Sequence, residues 1–346
     1  MLADKLRARI AANGPMPFEE YMAACLYDPD GGFFATGPLR SVKEGDFLTS
    51  PEVSPWFGRT LARFVEAHEA DLVVDVGAGS GSLLEPMMEE LGSSYSFHAI
   101  EASPAARGAL QSLVGDGVHG SIDGLPKRFN GVVFANELLD NFPTALAIRS
   151  GDGWVERWVG VTATGFGLVD AEVRPAVASW CDAYAGNVPD GGMVEVQLAA
   201  THWIGEILAR IRDGALVVID YGGTAEELEP RRTQGTLRTY QRHHLGPDPL
   251  LEPGATDVTA DVNFTALMAA AEDAGATVEL HRQDDFLADL GLREVVRDLR
   301  HRELELAKGD DAMARLKVRS EGTDADTLLH PRGLGDFRVV VARVPP

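Results

Sequence analysis

The run Asp75-Val76-Gly77-Ala78-Gly79-Ser80-Gly81, entered from the apolar pair Val73-Val74, carries the clearest chemical signal in the chain. An apolar strand ending in alternating glycines, followed by helix-forming sequence from Leu83 to Leu91, builds a pocket for a nucleotide-like ligand. The glycines let the ligand approach the backbone, and the helix start offers unpaired N–H groups. A G-x-G-x-x-G dinucleotide fingerprint would need glycine at position 82, where this chain has Ser82. The spacing is instead Asp-x-Gly-x-Gly-x-Gly, which suits a ligand without pyrophosphate whose ammonium can meet an acid. A glycine-rich turn that binds nothing is the plain alternative, and the next unit of the chain weighs against it. Ser96 to Glu101 reads as a second strand ending in an acid. Glu101 lies about 20 residues past the glycines, where an acid grips ribose hydroxyls. Asp116 and Glu89 are its rivals, but neither ends an apolar strand.

This loop pattern is common in enzymes that use S-adenosylmethionine (SAM), so Asp75, Gly77, Gly79, Gly81 and Glu101 are expected to hold that cofactor. Ser121-Ile122-Asp123, after the third strand, is where the adenine should rest. Three further motifs belong near the same pocket. In Gly45-Asp46-Phe47-Leu48-Thr49-Ser50-Pro51-Glu52, Thr49, Ser50 and Glu52 supply polar groups, although Thr49 or Ser50 as a plain helix cap is the competing reading. Asn136-Glu137-Leu138-Leu139-Asp140 closes the fourth strand, and polar groups at the carboxyl end of a central strand face the ligand crevice in open α/β sheets. A helix cap by Asn136 is the duller alternative. Asp220-Tyr221-Gly222-Gly223 closes the fifth strand at the same edge.

The elements that must position these residues follow from the hydrophobic pattern. Strands are expected near 72–76, 96–101, 117–119 and 131–135, with helices near 83–91 and 104–114, an alternation that predicts a doubly wound α/β sheet. Ahead of it, residues 1–70 read as a helical and loop cover, with one long amphipathic helix from Glu52 to His68. From about 144 to 200 the regularity lapses into an inserted α+β lobe that opens on a hairpin turn at Ser150-Gly151-Asp152-Gly153. The core resumes with a helix over 202–212, strand 215–220, a helix from Phe264 to Ala274, and hairpin-like strands at 277–282 and 337–344. Arg293 to Arg319 reads as a solvated helical stretch.

Composition bounds the rest. A chain of 346 residues, 45% hydrophobic and 24% charged, can bury a full α/β core with room for a second lobe. Its formal net charge of −22 excludes a nucleic-acid surface and is compatible with a basic protein partner. Two cysteines, Cys25 and Cys181, give neither a disulfide framework nor a thiolate metal site, and the expected setting is the cytoplasm. No stretch is long and apolar enough to predict a membrane span. No metal is expected, because His243-His244 have no acidic ligand cluster around them. Nothing in the sequence indicates an oligomer.

Taken together, the ordered motifs resemble the MidA-like SAM-dependent methyltransferases, a family that includes a mitochondrial complex I assembly factor acting as a protein arginine methyltransferase. The resemblance runs from Gly14-Pro15 and Asp28-Pro29 through Gly45-Asp46-Phe47, Thr49-Ser50-Pro51-Glu52 and the glycine loop. It continues through Glu101-Ala102-Ser103-Pro104, Ala135-Asn136-Glu137, Asp220-Tyr221-Gly222 and Gly235-Thr236-Leu237-Arg238 to Asp257-Val258-Thr259-Ala260-Asp261-Val262-Asn263-Phe264. The chain departs from the family at Asp75-Val76, where glutamate and leucine are usual, and after Asn136-Glu137, where an aromatic pair is usual. The resemblance implies a class I, Rossmann-like methyltransferase fold, SAM as cofactor with S-adenosylhomocysteine as product, and a protein arginine acceptor. An arginine is protonated at neutral pH, its pKa lying above about 12, so it needs carboxylates to orient it and receive a proton. Glu137 and Asp140 are the candidates, with Glu52 and Asp46 in reserve; Asn136 belongs with the cofactor set. A small-molecule N- or O-methyltransferase and a non-catalytic assembly factor on the same fold are the two other readings.

Overall fold

The computed structural model describes residues 1–36, 49–68, 70–231, 233–241 and 244–345. Seven strands form the central sheet: β1 (Leu72–Val76), β2 (Ser96–Ile100), β3 (Val118–His119), β4 (Phe129–Asn136), β5 (Ile211–Asp220), β6 (Thr277–Arg282) and β7 (Arg338–Val344). Their order is β6-β7-β5-β4-β1-β2-β3. All neighbours pair in parallel except β7, which runs antiparallel to both β5 and β6. The chain therefore reverses its direction of travel across the sheet between β1 and β4, the position where open α/β sheets leave a crevice.

The residues account for this arrangement. β1 is buried at every position, as a parallel strand covered on both faces must be. Alternate residues feed two separate cores. Val73, Ala99, Val132, Phe134, Val217 and Val341 face the helices Trp56–Glu66, Leu84–Leu91 and Leu292–Leu306. Val74, Val133, Ala135, Leu216, Val218 and Val340 face Leu198–Leu208 and Phe264–Asp273. At Gly131 an added Cβ would sit 2.4 Å from the Leu72 carbonyl oxygen, so β4 lies against β1 more closely than any side chain allows. The doubly wound sheet is the one expected from the alternation of elements.

A second sheet is built from Ala145–Ser150, Gly153–Thr162, Gly165–Ala171 and Met193–Val196, with the two-residue turn Gly151-Asp152 where the hairpin was expected. The amino-terminal segment joins it, Met16 pairing with Val159 and Pro17 with Trp158.

Three expectations need correcting. The helix expected from Glu52 to His68 is two helices, Ser50–Val53 and Trp56–Glu66. Ser54 between them is extended (φ −152°, ψ 131°), as the residue before Pro55 is obliged to be. The helix expected over 202–212 spans Leu198–Leu208, because β5 already begins at Ile211. The last two strands pair antiparallel but are no hairpin. Helices Gln283–Asp289, Leu292–Leu306 and Ala312–Thr327 lie between them, and the last two pack together as the charged, solvated stretch.

Candidate active site

The parallel register brings the carboxyl ends of β1, β2, β4 and β5 level: Val76 pairs with Ile100 and with Ala135, and Asn136 with Ile219. Over this edge lies a cavity of about 830 Å³. One side of it is the glycine loop. Gly77 and Gly79 have φ of +78° and +53°, and a Cβ on Gly77 would press against Leu138 at 3.0 Å. The Gly79 N–H donates to Glu101 Oε2 (2.9 Å) and the Ser103 N–H to Oε1 (2.7 Å), so the Glu101 carboxylate is fixed by backbone alone. Ser103 also caps the helix Pro104–Val114, which starts on a proline at its first position. Burial and the neighbouring Glu101 push the Asp75 carboxyl up to about 7.

The other side gathers acids from separate segments. Glu137, at φ +50°, is the one non-glycine in the left-handed region among the described residues, a strain that clusters at functional sites. Its Oε1 accepts from the Ser50 N–H (3.3 Å) and from Asn136 Nδ2 (3.4 Å). Burial, then the charge of Asp140, push it up to about 8. Asp140 is buried, and burial raises its carboxyl above the usual range while the Tyr221 hydroxyl, donating to Oδ2 at 2.5 Å, draws it down. Asp220, at the end of β5, is fully buried and takes three backbone N–H groups, from Leu139 (3.0 Å), Asp140 (3.3 Å) and Tyr221 (2.9 Å). Tyr27 donates to the Asn141 carbonyl (3.1 Å), and Asn141 Nδ2 donates to Asp257 (2.8 Å). Asp257 and Asp261 complete the wall. Arg238, bonded to Asp261 at 2.6 Å, is the single cationic side chain among the described residues lining the cavity.

Thr49, Asp75, Gly77, Gly79, Glu101, Ser121, Ile122, Asn136, Glu137 and Asp140 all line this cavity. Four candidates stand back from it. Ser50 and Glu52 lie behind the lining: Ser50 Oγ accepts from Gln283 (3.2 Å), and Glu52 closes a capping box by accepting the Thr49 N–H at 3.3 Å. Gly81 packs under helix Pro104–Val114, where a Cβ would meet Leu113 at 2.8 Å. Asp123 turns to the surface and bonds Arg210 at 2.8 Å, leaving Ser121 and Ile122 on the cavity lining, where Ile122 packs in the same hydrophobic cluster as Trp203. Asp46 and His243 lie outside the described residues. Tyr221 lines it from the fifth-strand motif expected at this edge, whereas sequence reasoning passed over Tyr27, Arg238, Asp257 and Asp261 as lining residues. The polar density of 256–263 was the available signal for the last two, and nothing local marks Tyr27. Among the described residues no cluster of His, Cys, Asp and Glu could hold a metal, and no helix is long and apolar enough to cross a membrane.

The donor set fits SAM. A glycine cradle, an acid at the end of β2 with both oxygens fixed by N–H groups, and a buried acid at β1 can receive a ribose and an ammonium. Comparison with known proteins agrees. A model of the family described as "putative S-adenosyl-L-methionine-dependent methyltransferase" matches residues 56–281. The curated Drosophila melanogaster "protein arginine methyltransferase NDUFAF7 homolog, mitochondrial" is 28% identical over 319 residues, covering 79% of this chain and 70% of that protein. The Homo sapiens protein of that name is 26% identical, covering 96% and 80%. The structure of a "COG1565 superfamily member" from Burkholderia thailandensis, bound to S-adenosyl-homocysteine, superposes with a TM-score of 0.85 at 30% identity, covering 99% of this chain and 91% of that one. The mitochondrial label of the curated relatives overturns the cytoplasmic setting expected from cysteine usage, since two buried free thiols do not discriminate between reducing compartments. With its glycine loop, its strand-end acids and a family model matched over most of the sheet, the chain belongs to this family of SAM-dependent methyltransferases.

Proposed function

We propose that the chain transfers a methyl group from SAM to a guanidinium nitrogen of an arginine in a protein. When bound, SAM supplies an activated methyl group with a neutral thioether as leaving group. The chain's own task is to align the acceptor, which contributes about 7–11 kcal/mol in well-oriented reactions, and to accept its proton. Asp75, Gly77, Gly79 and Glu101 hold the cofactor, with Ser121 and Ile122 at the adenine and Thr49 and Asn136 nearer the methyl group.

The observation that carries the acceptor reading is a pair of buried oxygens on lining residues, Asn136 Oδ1 and Asp140 Oδ1, with no hydrogen-bond partner. Buried acceptors without donors are costly, and a guanidinium brings five donors in a planar fork. Glu137, Asp257 and Asp261 surround them, so a cation is the acceptor whose charge this wall offsets. The curated relatives named above carry protein arginine methyltransferase in their names. Incubation of the protein with tritiated SAM and host lysate, followed by acid hydrolysis and mass spectrometry, tests the proposal. Label in methylarginine supports it; label confined to a metabolite replaces it with small-molecule methylation.

A further inference from the structure

The acceptor wall holds more carboxylates than one proton transfer uses, and their surroundings differ. Glu137 reaches across to the Ser50 N–H and to the Asn136 amide, so it spans two segments. Asp140 is held differently. One oxygen takes the Tyr221 hydroxyl at 2.5 Å, and the other is buried without a partner beside the cavity. Tyr221 lines the same cavity. Both residues hang on Asp220, whose carboxylate takes the backbone N–H of each, and of Leu139 as well. A buried carboxylate spent on three amides at the junction of two loops fixes where Asp140 and Tyr221 stand.

We propose that Asp140 and Tyr221 act as one proton-receiving unit for the acceptor nitrogen, with Asp220 as its positioning residue and Glu137 orienting the acceptor. The inference rests on the arginine reading above. In the reaction the nitrogen-to-methyl bond forms as the methyl–sulfur bond breaks, and the sulfur keeps that electron pair. The proton displaced from nitrogen passes to the unpartnered oxygen of Asp140 and from there to water, leaving a methylguanidinium cation. The Tyr221 hydroxyl stabilises the ionised Asp140 and so keeps it able to accept a proton near neutrality. The other titratable or charged groups packed around this carboxyl are Asp220, Glu137, Tyr27, Asp257 and Asp261, the last paired with Arg238.

The test has two arms on the full chain. In the first, tritium transfer from SAM into methylarginine of lysate protein is followed against pH for wild type, Tyr221→Phe, Asp140→Asn and the double variant. Asp140→Asn is expected to lose about 10²–10⁴-fold in rate. Tyr221→Phe removes a hydrogen bond that favours the ionised carboxyl, so the acidic limb of the rate profile moves to higher pH by roughly one unit. Adding Tyr221→Phe to Asp140→Asn changes the rate no further, because the tyrosine acts through the carboxyl. Full additivity, or an unshifted limb, overturns the unit. In the second arm, the Asp140 carboxyl is titrated by carbon NMR in the SAH-bound protein, with and without Tyr221→Phe. An upward move supports the unit, and an identical titration overturns it whatever the acceptor. Absence of methylarginine with the wild type overturns the arginine reading alone. Unchanged SAM affinity by calorimetry serves as the folding control for each variant.

Discussion

The two halves of the cavity are built in opposite ways. The cofactor half is one βα unit and its successor: Asp75 to Gly81, then Glu101 and Ser103, joined by backbone N–H groups from neighbours close in the chain. The acceptor half draws on Tyr27, the turn 139–141, Asp220-Tyr221, Arg238 and Asp257 to Asp261, joined mainly through side chains across more than 80 residues of chain. In the first half the Glu101 carboxylate is satisfied by N–H groups, while Asp75 is a buried carboxyl lifted to about 7. The second retains buried oxygens without partners and carboxyls that burial lifts well above their usual range. On the proposed reading, local backbone chemistry holds the cofactor, and a non-local assembly of acids receives the methyl acceptor.

The largest expected effect lies in the cofactor half. Gly79→Val places a β-branched residue at φ +53° and disturbs the N–H that fixes Glu101. SAM affinity by calorimetry should fall by more than about 100-fold in a protein whose circular dichroism is unchanged, given a cost of several kcal/mol for strain plus a lost charged hydrogen bond. Retained affinity would mean that the loop does not cradle the cofactor.

Next comes Glu137→Gln, which keeps shape and hydrogen bonding but removes charge from the acceptor half. Transfer should drop by about 10–100-fold with SAM binding within about twofold of wild type. Equal rates would remove any charge-dependent role for Glu137.

The smallest effect is on stability against pH. The Asp75 and Glu137 carboxyls titrate at about 7 and 8 in the folded chain, and near their ordinary values once unfolded. Between roughly pH 4 and 8 the unfolded chain has released protons that the folded chain keeps, so the folded state loses stability as pH rises. The melting temperature of the ligand-free protein should fall on the order of 5 °C from pH 5 to pH 8, and Asp75→Asn should flatten part of that slope. A profile identical in wild type and variant would show that Asp75 is not buried as an acid.

This contrast also explains what could be read beforehand. β1, the glycines, Glu101 and the strand ends were legible because each rests on a pattern a few residues long. The outward turn of the Asp123 carboxylate was not legible, because the motif gives a position in the chain while Arg210, 87 residues on, decides where the carboxylate points. Ser50 and Glu52 carry polar groups that fill a capping box, and spacing alone does not distinguish a cap from a ligand contact. Tyr27 was unreadable, since its role depends on a helix of the amino-terminal segment meeting Asn141. The broken helix at Ser54-Pro55 was legible in principle, because the proline restricts its predecessor.

The division of labour between the two halves is tested most directly in one sample of Asp140→Asn. SAM affinity by calorimetry and methyl transfer from tritiated SAM are measured side by side with wild type. The expected result is an affinity within about twofold of wild type and a transfer rate lower by about 100-fold or more. Affinity and transfer falling together, or transfer surviving intact, would contradict a separate acceptor half centred on Asp140.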